Sequence, residues 1–105
     1  MNAHDPTDID AQERELLTAQ ERAKLGADLE KKDIQWLMGT PRGRRIVYRI
    51  LDRAAVFQVT FDTNALRMAF AEGRKNEGYA LLGLILAHCP DRYIEMIKER
   101  NANAT

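Results

Sequence analysis

The sequence predicts an all-α fold, a long N-terminal helix followed by a compact three-helix body. Three observations predict it. Apolar residues recur at i+3 and i+4 in four successive segments. Gly39-Thr40-Pro41 and Cys89-Pro90 punctuate those segments where helices should end or begin. Val56 to Phe61 is β-branched and aromatic, but six residues with no second strand make no sheet.

The first helix should start at Thr7-Asp8-Ile9-Asp10, where a short polar cap precedes acids in the first turn. From there to about Met38 only Gly26 opposes helix, so one long helix is expected, with a possible break at that glycine. Asp10 with Arg14 and Asp28 with Lys32 supply favourable i,i+4 pairs. Apolar positions are thin early (Ile9, Leu16, Leu17) and denser later, at Leu25, Leu29, Trp36 and Leu37. The second half is therefore expected to dock on the body. The first half is expected either to be solvated or to await a partner.

Gly39 can end that helix, Thr40 can cap the next, and Pro41 suits a first helical position. The second helix should reach about Ala55, with Ile46, Val47, Ile50, Leu51 and Ala54 inward and Arg42, Arg45, Arg49 and Arg53 outward. Val56 to Phe61 reads as an extended connector whose Phe57 and Phe61 plug the core. A third helix, capped by Asp62, Thr63 or Asn64, should run to about His88 with Leu66, Phe70, Gly73, Glu77, Ala80, Leu81, Leu84 and His88 on its inner face. Gly73 on that face implies a close backbone approach. Cys89-Pro90 stops the helix, and Asp91 caps a short fourth one that buries Tyr93, Ile94 and Ile97. The organisation expected is an acidic helical arm at 1–32, a helical body at 33–100 and a frayed tail at 101–105.

Charge is high and balanced overall, 16 basic against 16 acidic residues. It is unevenly placed: residues 1–33 carry net −4 and residues 34–105 net +4. An acidic arm before a basic body suggests internal docking or two surfaces for two partners. One cysteine, Cys89, excludes an internal disulfide. The N-terminal residues lack the basic and apolar regions of a signal peptide, and the longest apolar run, Gly78 to Ala87, is half of what a bilayer needs. A soluble protein of the cytoplasm at synthesis is expected, with no membrane partner.

Two clusters could carry function. Arg42, Arg45, Arg49 and Arg53, with Arg44 beside them, form a ridge that could grip phosphates or a protein partner. The absence of net positive charge and of an aromatic platform weighs against nucleic acid. Arg44, Arg45, Glu72 and Asn76 could instead form a structural polar network between the second and third helices, with Glu77 as another carboxylate. Arg44, Glu72, Arg74 and Asn76 could alternatively line a small-molecule pocket. Catalysis finds little support. His88 and Cys89 are adjacent, so on a helix they point about 100° apart and make no nucleophile–base pair. Two histidines and one cysteine without ligand spacing make no zinc site. No enzyme activity and no cofactor are expected.

Asp33-Ile34-Gln35-Trp36-Leu37-Met38, then Gly43-Arg44-Arg45, then Phe70-Ala71-Glu72-Gly73-Arg74-Lys75-Asn76-Glu77-Gly78 form a pattern that covers roughly residues 33 to 97. Cys89-Pro90 followed by Tyr93 continues it. The pattern resembles a small family of tailed-bacteriophage proteins named after a protein of a short-tailed Bordetella phage and encoded among virion and assembly genes. The resemblance implies a phage origin, a structural or assembly role in the virion through protein–protein contacts, and residence in the host cytoplasm before assembly. Its partners would be other phage structural proteins or further copies of itself. The arm, residues 1–32, lies outside the resembling span; its strong helix formers and sparse apolar residues by themselves suggest order against another subunit, with Ile9, Leu16 and Leu17 as oligomer contacts. The resemblance implies no catalytic residues. A small nucleic-acid-associated protein using the arginine ridge is the alternative.

Overall fold

The computed structural model describes residues 8–103, and among them it contains four α-helices and no strand: α1 (Ile9–Met38), α2 (Pro41–Arg53), α3 (Ala65–His88) and α4 (Pro90–Asn103). The protein is all-α. It divides into two units, Met1–Glu30 and Lys31–Thr105. Gly26 does not interrupt α1, and space around it is open. Asp8 starts the helix by accepting the Ala11 N–H at 3.0 Å; Thr7, also expected at this start, lies outside the described residues.

In the Lys31–Thr105 unit, α2, α3 and α4 pack against one another. Met38, Val47, Leu51, Ile85 and Met96 are the most deeply buried side chains, joined by Ile34 and Val56. Ile34 and Met38, four residues apart, are the inward positions of the end of α1. Trp36 lies about 200° around the helix from each and is 80% exposed, against the expectation that it docks. Leu25 and Leu29 are likewise exposed.

Local chemistry sets the joints. The Thr40 hydroxyl accepts the Gly43 N–H at 3.1 Å, with Pro41 at the first turn of α2. Gly43 is buried against the end of α1, where an added Cβ would run into the Leu37 carbonyl. Glycine is needed there for close approach. At the other end of α2, Ala55 takes φ 60°, the Ala55 N–H donates to the Asp52 carbonyl and the Val56 N–H to the Leu51 carbonyl. This Schellman turn usually has glycine at the left-handed position, and alanine costs about 1 kcal/mol there. It turns Val56 onto the core.

Several expected faces are corrected by this geometry. Val56, not Phe57 or Phe61, plugs the core: Phe61 is 80% exposed, and Phe57 stacks half-exposed on Tyr48 at 5.4 Å. The inner stripe of α3 is Met68, Ala71, Lys75, Gly78, Leu82, Ile85 and Cys89, a repeat of alternating three and four residues. Leu66, Phe70, Gly73, Glu77 and Ala80 are exposed instead. The close approach falls at Gly78, where an added Cβ would meet Val56 and lie 2.8 Å from Ala54 Cβ; Gly73 has open space around it. Apolar periodicity misleads here because lysine and glycine fill two consecutive inward positions. On α2, Ile46 and Ile50 stand at the margin of the core, about two-fifths exposed. On α4, Met96 is buried in place of Ile94, Pro90 itself opens the helix, and the helix continues to Asn103. The frayed tail expected from residue 101 is therefore helical to 103, and 104–105 lie outside the described residues.

Candidate interaction surface

Helix α2 carries opposite chemistry on its two sides. Inward, Gly43, Arg44, Val47 and Leu51 are buried. Arg44, 6% exposed, donates from Nη1 to the Met38 carbonyl at 2.8 Å and from Nε to Glu99 at 2.5 Å, with Glu95 3.3 Å from Nη1. The Met38 carbonyl belongs to the last turn of α1, where backbone acceptors have no helical partner and a cation is favoured. One guanidinium thus ties the end of α1 to α2 and α4. A hydrogen bond from Arg92 at 2.8 Å, and the charges of Arg92, Arg44 and Lys98, hold the Glu95 carboxyl below its ordinary range.

The expected polar network is assembled differently. The structure brings Arg44 together with Glu95 and Glu99, not with Glu72 or Asn76. Arg45 is exposed on α2, Asn76 is exposed on α3, and Glu72 is half-buried there. The i,i+4 spacing of Glu95 and Glu99 was the legible signal, but nothing local to α4 shows that this face meets Arg44 of α2. The alternative, a small-molecule pocket lined by Arg44, Glu72, Arg74 and Asn76, does not form either, because Arg44 is committed to α4. Lys75 was missed altogether: it is buried and its ammonium donates to the Gln58 carbonyl at 2.5 Å, holding the connector onto α3.

Outward, Arg42, Ile46, Arg49, Ile50 and Arg53 follow i+4, i+3 and i+4 spacing and form one alternating basic and apolar stripe. Arg45 flanks it. All four arginines are exposed, and none of them forms an ion pair among the described residues. Ile46, Arg49, Ile50 and Arg53 line a shallow hollow of about 330 Å³ with Asp52 at its edge. Beside it, Arg45, Arg49, Tyr48, Met96 and Arg100 line a groove between α2 and α4 of about 310 Å³, where the Arg100 guanidinium lies 5.3 Å over the Tyr48 ring.

The Met1–Glu30 unit offers a second surface. Ile9, Leu16 and Leu17, expected as oligomer contacts, are 57–65% exposed. Asp10, Glu13 and Glu21 share their side of the helix, the six residues lying within about 140°. Residues 8–30 carry seven acidic and three basic groups.

His88 and Cys89 are half-buried at the end of α3, and burial pushes the Cys89 thiol up, away from the nucleophilic thiolate. His4 lies outside the described residues. Among the described residues no group of three or more His, Cys, Asp and Glu side chains could hold a metal ion, and no helix is long and apolar enough to cross a membrane.

No curated protein and no solved structure matches this chain. Residues 34–98 match the family described as Bbp19-like phage protein, a span that holds Arg44 with Met38 and Glu95 and the outer stripe of α2, and ends one residue before Glu99. The chain belongs to the Bbp19-like phage protein family.

Proposed function

We propose that this protein is a virion-associated structural or assembly component that works by protein–protein contact and without catalysis. The observation that carries the reading is a pair of uncovered, mixed apolar and charged helix faces of opposite sign, on α1 and on α2. Exposed apolar side chains in rows, rimmed by charge, mark association surfaces. Membership of a phage family supports a place in the particle or its assembly line, with the host cytoplasm as the site of synthesis. Other phage structural proteins and further copies of this chain are the partners of this reading.

Mass spectrometry of purified particles tests it. A fixed copy number per particle is expected, or a fixed number in assembly intermediates. Absence from both would reject the reading. The unpaired arginines of α2 favour one alternative, nucleic-acid contact. That alternative requires log affinity to fall with log salt by about 0.9 per phosphate neutralised, with Arg45→Ala and Arg49→Ala each flattening the slope by about one. Weak duplex and single-strand binding at physiological salt is expected.

A further inference from the structure

We propose that the acidic arm of one copy docks, through Ile9, Glu13, Leu16, Leu17 and Glu21, on the outer α2 stripe of a second copy. The inference deepens the assembly reading and rests on it. The two faces are complementary in both hydrophobicity and charge. The arm supplies three apolar side chains interleaved with Asp10, Glu13 and Glu21; α2 supplies Ile46 and Ile50 interleaved with Arg42, Arg49 and Arg53. The α2 residues span roughly 100° of the circumference and the arm residues roughly 140°, each a single face of its helix.

Charge selects the occupant. Pairing two arms would oppose two segments of net −4, and pairing two α2 stripes would oppose two rows of unpaired arginine. Arm on α2 is the combination that neutralises both. Another exposed apolar patch, formed by Leu66 and Phe70, offers less to an acidic helix. There Arg67 is already paired with Asp62 at 3.4 Å, and Arg74 lies over the Phe70 ring. Because the contact joins two different surfaces, it either closes by reciprocal exchange into a dimer or propagates head to tail into a ring or filament. A component of a symmetric particle has use for either.

The test is a charge swap in the full chain, read by light scattering and analytical ultracentrifugation. Arg42→Glu with Arg49→Glu, and separately Glu13→Arg with Glu21→Arg, alter exposed residues only, so both proteins should keep a folded body that melts at the parent's temperature. Each should weaken self-association at least about tenfold, since like charges then face each other. Mixing the two variants, or combining all four substitutions in one chain, should restore it. Parent association should also weaken as salt rises. A parent that is monomeric throughout, variants that keep the parent's mass, or no restoration on combination would each overturn the contact. So would tight duplex DNA binding at physiological salt that the α2 variant abolishes and the arm variant leaves intact. A monomeric protein still present in particles would reject this contact and leave the assembly role standing. A self-associating protein absent from particles would do the reverse.

Discussion

The two units of this chain are helical for different reasons. In Lys31–Thr105, helices carry one buried side each, and five side chains are essentially without solvent contact. In the described part of Met1–Glu30 no residue is buried, and Leu16, Leu17, Leu25 and Leu29 are all more than half exposed. Tertiary burial supports the body's helices, whereas helix propensity and the i,i+4 spacing of opposite charges favour helix in the arm. An isolated helix of that length is marginal in water, so the arm is the part whose order depends most on a partner. Packed regions and partner-dependent regions thus respond to different substitutions.

Truncating the same residue type in each unit should show the largest difference. Leu51→Ala removes a fully buried side chain from the last turn of α2 and should cost about 3–4 kcal/mol in denaturant unfolding. Leu25→Ala, on the arm, should stay within about 0.5 kcal/mol of the parent. Comparable losses would mean that the arm is packed as the body is.

Glycine replacement should come next and should split in sign. Gly43→Ala places a methyl group against the Leu37 carbonyl and 2.9 Å from its carbon, so the joint between α1 and α2 must open. A loss of about 2–3 kcal/mol is expected. Gly26→Ala meets nothing within 4 Å and gains helix propensity of about 1 kcal/mol, visible as increased helicity by circular dichroism. A stabilised Gly43→Ala protein would refute the close approach.

The smallest effect is a pH response confined to the body. Glu95 has a depressed carboxyl pKa in the folded protein, so its contribution is present above the ordinary value of 4.5 and is lost as pH falls through the depressed one. Melting temperature should therefore decline modestly below about pH 4.5, and Glu95→Gln should reduce that decline. Equal acid sensitivity in the variant would remove Glu95 from the account.

The sequence alone determined the helical class, the joints at Thr40-Pro41 and Cys89-Pro90, the acidic arm with its exposed Ile9, Leu16 and Leu17, and the outward arginines of α2. These are properties of single helices: propensity, capping, proline geometry and the distribution of charge along the chain act over four or five residues. Rotation and partnership were decided by tertiary structure. Whether Gly73 or Gly78 faces a neighbour depends on a shift of little more than one helical turn, and Lys75 inside the stripe disguises the phase. Arg44 and Arg45 are adjacent and identical in type. Only the arrival of Glu95 and Glu99 from α4, more than fifty residues away, buries the first and leaves the second in solvent. Local sequence fixes what each helix can offer, while a buried ion pair needs desolvation and opposite charge together, and both come from packing of distant segments.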